Sequence, residues 1–262
     1  MLKIKLPETP EQWLAIEEGF RKKFPRCVGA IVIKCPVYSG SEYYNYKGSY
    51  SIVLMALVAS DYHFIFADIG GQGRISDGGI FQNCLLWQKI YTNALNLPPD
   101  VPLPSREKNI PYVFLGDGAF ALHRNVMKPF PGNHDMGTNE RTFNYRLSSS
   151  RVIVENTFGV LTSVFRVFKK PIEIDVSKVP MITLSCILLH NFLRKSPHSR
   201  NLYTPPGTFD TIENGVFIEG SWRQHNTGLS ALRTIPPVSR RASTIALQVR
   251  SEFAAYFNNV NL

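Results

Sequence analysis

Between residues 143 and 170 apolar side chains recur at helical steps. Val154, Phe158, Leu161 and Phe165 fall on one face, and Ile153, Val160, Val164 and Val167 widen it. The spacing predicts one long helix over 143–170 that enters a core. The opposite stripe carries Arg151, Glu155, Gly159, Thr162 and Arg166, and Glu155 is the helix's single acid. A glycine inside a helix costs roughly 1 kcal/mol relative to alanine. Close approach by another part of the chain or a ligand is one reason to carry it at Gly159. Taken alone, Arg151 and Glu155 also have the spacing of an ordinary helix-stabilising ion pair.

Around this helix the chain alternates apolar runs and turns. Residues 9–24 predict an amphipathic helix with Trp13, Ile16 and Phe20 on one side. Thr9 is its expected N-cap, Pro10 its first residue and Gln12 its capping-box residue, and Pro25 ends it. Arg21, Lys22, Lys23 and Arg26 follow as a basic cluster, read as a solvated face. Apolar runs at 27–35, 51–59 and 64–69 predict buried strands, the last two joined as a hairpin and the first paired with them. A glycine-rich segment, 70–79, leads into a predicted helix over 78–94, with Ser76 or Asp77 as its cap. Such a loop can cradle phosphate, but it matches neither the dinucleotide fingerprint nor the Walker loop. Residues 112–120 (YVFLGDGAF) predict a short buried strand that ends on Asp117 between Gly116 and Gly118. An acid so placed reaches into a cleft, or bonds its own backbone in a turn. A helix over 179–195 carries His190 among apolar neighbours, expected as a core histidine with satisfied hydrogen bonds. Residues 197–241 read as surface loops or a mobile arm, and a short helix closes the chain.

Composition narrows the classes. The 262 residues allow one large domain, or one domain with appendages, and 44% hydrophobic content supports a sizeable core. No apolar run is long enough to span a membrane, and the start has no signal-peptide core. The four cysteines are scattered without a CxxC, which fits buried thiols better than zinc or disulfides. The net charge of +9 favours a polyanionic partner, nucleic acid first.

The expected fold class is therefore α/β, with a mixed sheet of antiparallel hairpin strands flanked by helices. Three antiparallel strands, a crossover helix and a further strand ending on an acid is the order of a ribonuclease-H-like core. In such cores carboxylates from different elements converge on two divalent metals. Phosphodiester cleavage needs an activated water and a stabilised leaving oxygen, and two metals held by shared carboxylates supply both. Mg²⁺ or Mn²⁺ takes oxygen ligands, so Asp and Glu suit the task.

The series YYNYKGSYSIVLMALV, DIGGQGRISDGGIF, FLGDGAF, FNYRLSSSRVIVENTFGVLTSVFRVF and ILLHNFLR resembles the Harbinger (PIF/Harbinger) transposase-derived nucleases of the DDE superfamily. The likeness runs from about residue 24 to 194, in the family's order. It implies metal-dependent cutting of DNA, a separate DNA-binding partner protein and nuclear residence. By resemblance, Asp117 is the second catalytic acid, Glu155 the third, and Asp77 a further metal ligand. Asp68 is kept as a structural acid at the mouth of the cleft. Arg151, Arg166, Lys169 and Lys170 are the expected phosphate contacts.

The family's first acid belongs to an Asp-Gly-x-His segment following Gly-Ala-Ile on the first strand. Here Gly29-Ala30-Ile31 runs directly into Val32. The loss is expected to weaken metal binding, to impair cutting and to strain the sheet. The expectation is thus an impaired metal-dependent endonuclease or, alternatively, a non-catalytic relic that binds DNA or protein. The expected division is an N-terminal helix over 1–26 left from an upstream region, a nuclease core over 27–195, and a C-terminal arm and helix over 196–262.

Overall fold

The computed structural model describes residues 4–36, 52–72, 84–169, 172, 174–213, 216–225, 232–234 and 242–259. Asp77 and Lys170 lie outside them, as does most of the glycine-rich loop.

Three antiparallel strands form the middle of the sheet: β1 (Cys27–Pro36), β2 (Ile52–Val58) and β3 (Phe64–Gln72). β1 also runs parallel to β6 (Val113–Leu115), which is parallel to β7 (Val126–Met127). The order is β3-β2-β1-β6-β7, and β10 (Leu232–Thr234) adds to the far end of β1. The result is a mixed sheet flanked by helices, the arrangement of a ribonuclease-H-like fold. Two-stranded ribbons, β4 (Val101–Pro102) with β5 (Asn109–Ile110) and β8 (Thr211–Glu213) with β9 (Val216–Ile218), lie outside it.

The strands alternate cleanly between two cores. Ile31, Ile33, Met55 and Leu57 face one side, against Trp13 of helix α1 (Pro10–Phe20) and Leu86 and Ile90 of α2 (Leu85–Tyr91). Ala30, Val32, Leu54 and Ala56 face the other. There they meet Val154, Phe158 and Leu161 of α3 (Asn139–Val164) and Ile187 of α4 (Val179–Lys195). A third cluster joins Phe143 and Leu147 of α3 to Phe253 and Phe257 of the last helix, α6 (Thr244–Asn259). The short α5 (Pro197–Tyr203) follows α4 directly.

The local sequence explains the helix ends. Thr9 caps α1 by accepting from the Gln12 N–H, and Pro10 starts it, as expected. α2 begins after Cys84, whose thiol accepts from the Trp87 N–H, so within the described residues the helix is shorter than 78–94. α3 differs from the expected 143–170 at both ends. Thr138 caps it by accepting from the Arg141 N–H, five residues before Phe143. At Phe165 the backbone turns extended and a single 3₁₀ turn (Arg166–Phe168) follows. Val164 of the widened face is consequently exposed, while Val160 stays in the core.

The expected strain at the shortened first strand is not seen on the β2 side. Ala30 to Lys34 pair with Val58 to Leu54 in unbroken register. The irregularity lies on the β6 side, between Cys27 and Ala30. Gly29 sits there with φ +149°, and a Cβ would meet the Leu57 Cδ1 at 2.6 Å, so the position needs glycine.

His190 is the core histidine expected. Its Nδ1 meets the Tyr203 hydroxyl and its Nε2 the Tyr62 carbonyl, both at 2.9 Å. Cys27, Cys84 and Cys186 are buried free thiols.

Candidate functional site

Asp117 stands just beyond the end of β6, in a turn that its two glycines and Phe120 explain. The Gly116 N–H donates to the Met127 carbonyl at 2.8 Å, which keeps the chain on β7. The Phe120 ring then folds back over Gly116, so close that a Cβ there would lie 2.9 Å from it. Asp117 Oδ1 accepts from the Ala119 N–H at 2.9 Å, and Lys128 Nζ donates to the Gly118 carbonyl at 3.0 Å. The turn reading of this acid is the one its bonds show. One oxygen holds the turn, and the other, Oδ2, points at α3.

What Oδ2 meets there is Arg151. The guanidinium Nη2 is 3.5 Å from Asp117 Oδ2 and donates to the Ile31 carbonyl at 3.3 Å. The two side chains keep only 15% and 22% of their exposure. Burial pulls the Arg151 pKa below that of a free guanidinium, while the charges of Asp117 and Glu155 push it back up. An arginine starts so high that it remains charged.

Ile31 is the residue after which the resemblance places the first acid. Over 31–33, β1 has no strand partner on its β6 side among the described residues, because β6 ends opposite Ala30 and β10 begins opposite Lys34. Arg151 bonds to the backbone in that stretch. Val32, the next residue, is buried with Val154 and Phe158 on the face that meets α3. The residue that follows Ile31 is thus apolar and buried.

Glu155 is exposed, one turn beyond Arg151 on the same helix. Beside it the polar stripe of α3 is covered rather than solvated. Asn156 Oδ1 accepts from the Asp210 N–H at 2.7 Å and from Trp222 Nε1 at 2.9 Å, and its Nδ2 returns a bond to the Asp210 carbonyl at 3.0 Å. Asp210 is itself buried and takes Arg223 through both oxygens, at 2.9 and 2.7 Å. The bond to Asp210 chiefly raises the Arg223 pKa, and the Glu155 charge adds a smaller push in the same direction. Trp222 lies against Gly159, so the glycine answers to close approach by a side chain from the segment read as loops or an arm.

Arg166 and Lys169 sit past the C-terminus of α3. From Glu155 to Val164 the helix rises roughly 14 Å at its usual pitch, so these basic residues are not gathered around the acids. Asp68 lies on the opposite face of the sheet from α3. Its neighbours Ala67 and Ile69 pack toward α3 and α4, whereas Asp68 adds to the upward shift of the Cys84 thiol beside α2. It is not at the mouth of the Asp117 cleft.

Sequence reasoning missed Asn156, Asp210, Trp222 and Arg223. Gly159 was the one signal that something approaches α3 closely, and it did not say what.

The described residues by themselves do not assemble the donors of a two-metal centre. Among the described residues no three His, Cys, Asp or Glu side chains gather so as to hold a metal ion. Asp117 already has the Arg151 guanidinium beside it, and the Glu155 charge acts on that guanidinium as well. Nor is any helix among the described residues long and apolar enough to cross a membrane.

The model of one protein family, the DDE superfamily endonucleases, matches residues 28–191. No curated protein and no solved structure matches the chain. The matched segment spans β1 through most of α4, and so contains Asp117, Arg151 and Glu155. The chain belongs to the DDE superfamily endonuclease family.

Proposed function

We propose that this member of the DDE superfamily endonucleases is of Harbinger descent and acts by holding DNA, with phosphodiester cutting impaired. Endonucleases of the superfamily generally use divalent metals, which activate the attacking water and stabilise the leaving oxygen. One observation carries the reading of impaired cutting. Arg151 reaches from α3 to the Ile31 carbonyl and to Asp117, while Val32 is buried where the first acid belongs. Asp117 and Glu155 remain as two acids of a three-acid set, with Asp77 as a further candidate ligand.

Support for DNA as the partner comes from the family and from charge. The net charge is +9, and Arg166 and Lys169 lie together past the end of α3 with no acidic partner among the described ion pairs. We assign them, with Lys170, to phosphate contact. Arg151 is turned inward and contributes to phosphate only at the cleft itself. The expected setting is the nucleus, with a separate DNA-binding protein as partner. The division into an N-terminal helix over 1–26, a core over 27–195 and an arm over 196–262 belongs to the same proposal.

Binding isotherms on duplex DNA at 50 and 200 mM salt test the reading. Phosphate contacts release counterions, so affinity falls with log salt by roughly 0.9 per contact. Arg166→Ala with Lys169→Ala is expected to flatten the slope by about two contacts. Binding that ignores salt would contradict the proposal.

A further inference from the structure

We infer that Arg151 is the built-in cation beside Asp117 and that it closes this seat to divalent metal ions. The inference rests on the reading of Asp117 and Glu155 as the remaining acids of the DDE centre. It goes further in assigning to a side chain the charge neutralisation that a metal gives elsewhere in the superfamily.

Three observations converge on it. The guanidinium is buried with its charge toward Asp117, at 3.5 Å. It is anchored to the Ile31 carbonyl at 3.3 Å, in the stretch of β1 that no strand among the described residues covers on the β6 side. Its Nε–H is buried and has no hydrogen-bond partner among the described residues. A surface arginine seeking an ion pair would leave that donor in water. This one forgoes the bond, and the charge is compensated by the carboxylates instead. A divalent ion brought to Asp117 Oδ2 would meet a fixed positive charge a few ångströms away. At effective dielectrics of 20 to 80, that repulsion alone lowers affinity by on the order of tenfold or more.

The test is Mn²⁺ titration of the full-length chain without DNA, followed by electron paramagnetic resonance of free Mn²⁺. Wild type and Asp117→Asn are expected to bind Mn²⁺ alike, showing no site at Asp117. Arg151→Gln, which keeps a polar side chain but removes the charge, is expected to gain a site at least about tenfold tighter than anything in wild type. Arg151→Gln combined with Asp117→Asn is expected to lose it again, and Arg151→Lys, which keeps the charge, to gain none.

A wild-type Mn²⁺ site that Asp117→Asn abolishes would overturn the inference, and this comparison does not require Arg151→Gln to fold. A folded Arg151→Gln protein without a gained site would overturn it too, as would a gained site that survives Asp117→Asn. The DNA isotherms are read separately. Loss of salt-dependent DNA binding would remove the proposed function while leaving the Mn²⁺ result standing.

Discussion

The indole of Trp222 rests on Gly159 so closely that no Cβ fits between them. A residue more than sixty positions away thereby fixes the choice of glycine inside the longest helix. The usual expectation for Gly→Ala in a helix is a gain of about 1 kcal/mol. Here the added methyl must push the indole aside and strain the bonds that Asn156 makes to Trp222 and Asp210. Gly159→Ala is expected to destabilise the protein by about 1–3 kcal/mol, as overpacking does. Urea unfolding followed by tryptophan fluorescence measures it, and a stabilised variant would show that Trp222 does not sit there.

Asp117 and Glu155 are predicted to respond unequally to loss of charge. Asp117→Asn leaves the buried Arg151 guanidinium without its nearest counter-charge. The cost is expected to be about 1–3 kcal/mol, since a buried polar group is left under-compensated. Glu155 is exposed, so Glu155→Gln is expected to stay within about 0.5 kcal/mol of wild type. Both are read from denaturant midpoints at neutral pH. Equal effects would mean that Arg151 is not committed to Asp117.

His190 sets a pH dependence. Burial chiefly, with the nearby Arg194 charge, pushes its native pKa down to about 3 from the ordinary 6.5, against the opposing effect of its hydrogen bond to the Tyr62 carbonyl. The unfolded chain therefore takes up a proton near pH 6.5 that the native protein refuses. The stability contributed by the neutral ring is complete above that pH and is lost progressively as pH falls toward 3. Melting curves between pH 7 and 4 are expected to fall more steeply for wild type than for His190→Gln. Parallel curves would contradict the assignment.

Much of the fold could be read from the residues, because its central strands are continuous apolar runs and its helices carry recognisable caps. β1, β2 and β3, Thr9 and Pro10 at α1, and the helix over 179–195 all appear where periodicity places them. The end of α3 was not readable, since Val164 and Val167 keep helical spacing although the backbone turns extended at Phe165. Asp117 and Glu155 stood out by chemistry. The burial of Asp210 under Arg223 did not, because nothing local marks a loop acid that a distant arginine will cover. The role of Arg151 was hidden for a related reason. Four residues from Glu155 it reads as a helix ion pair, and only the third dimension brings in Asp117 and the Ile31 carbonyl.

The most direct test of impaired cutting is nicking of supercoiled plasmid by the purified chain in Mg²⁺ or Mn²⁺, with Asp117→Asn in parallel. On the proposed reading, with Val32 buried after Ile31 and Arg151 against Asp117, wild type and Asp117→Asn are predicted to give the same background. Metal-dependent nicking that Asp117→Asn abolishes would contradict this and return the chain to the active nucleases.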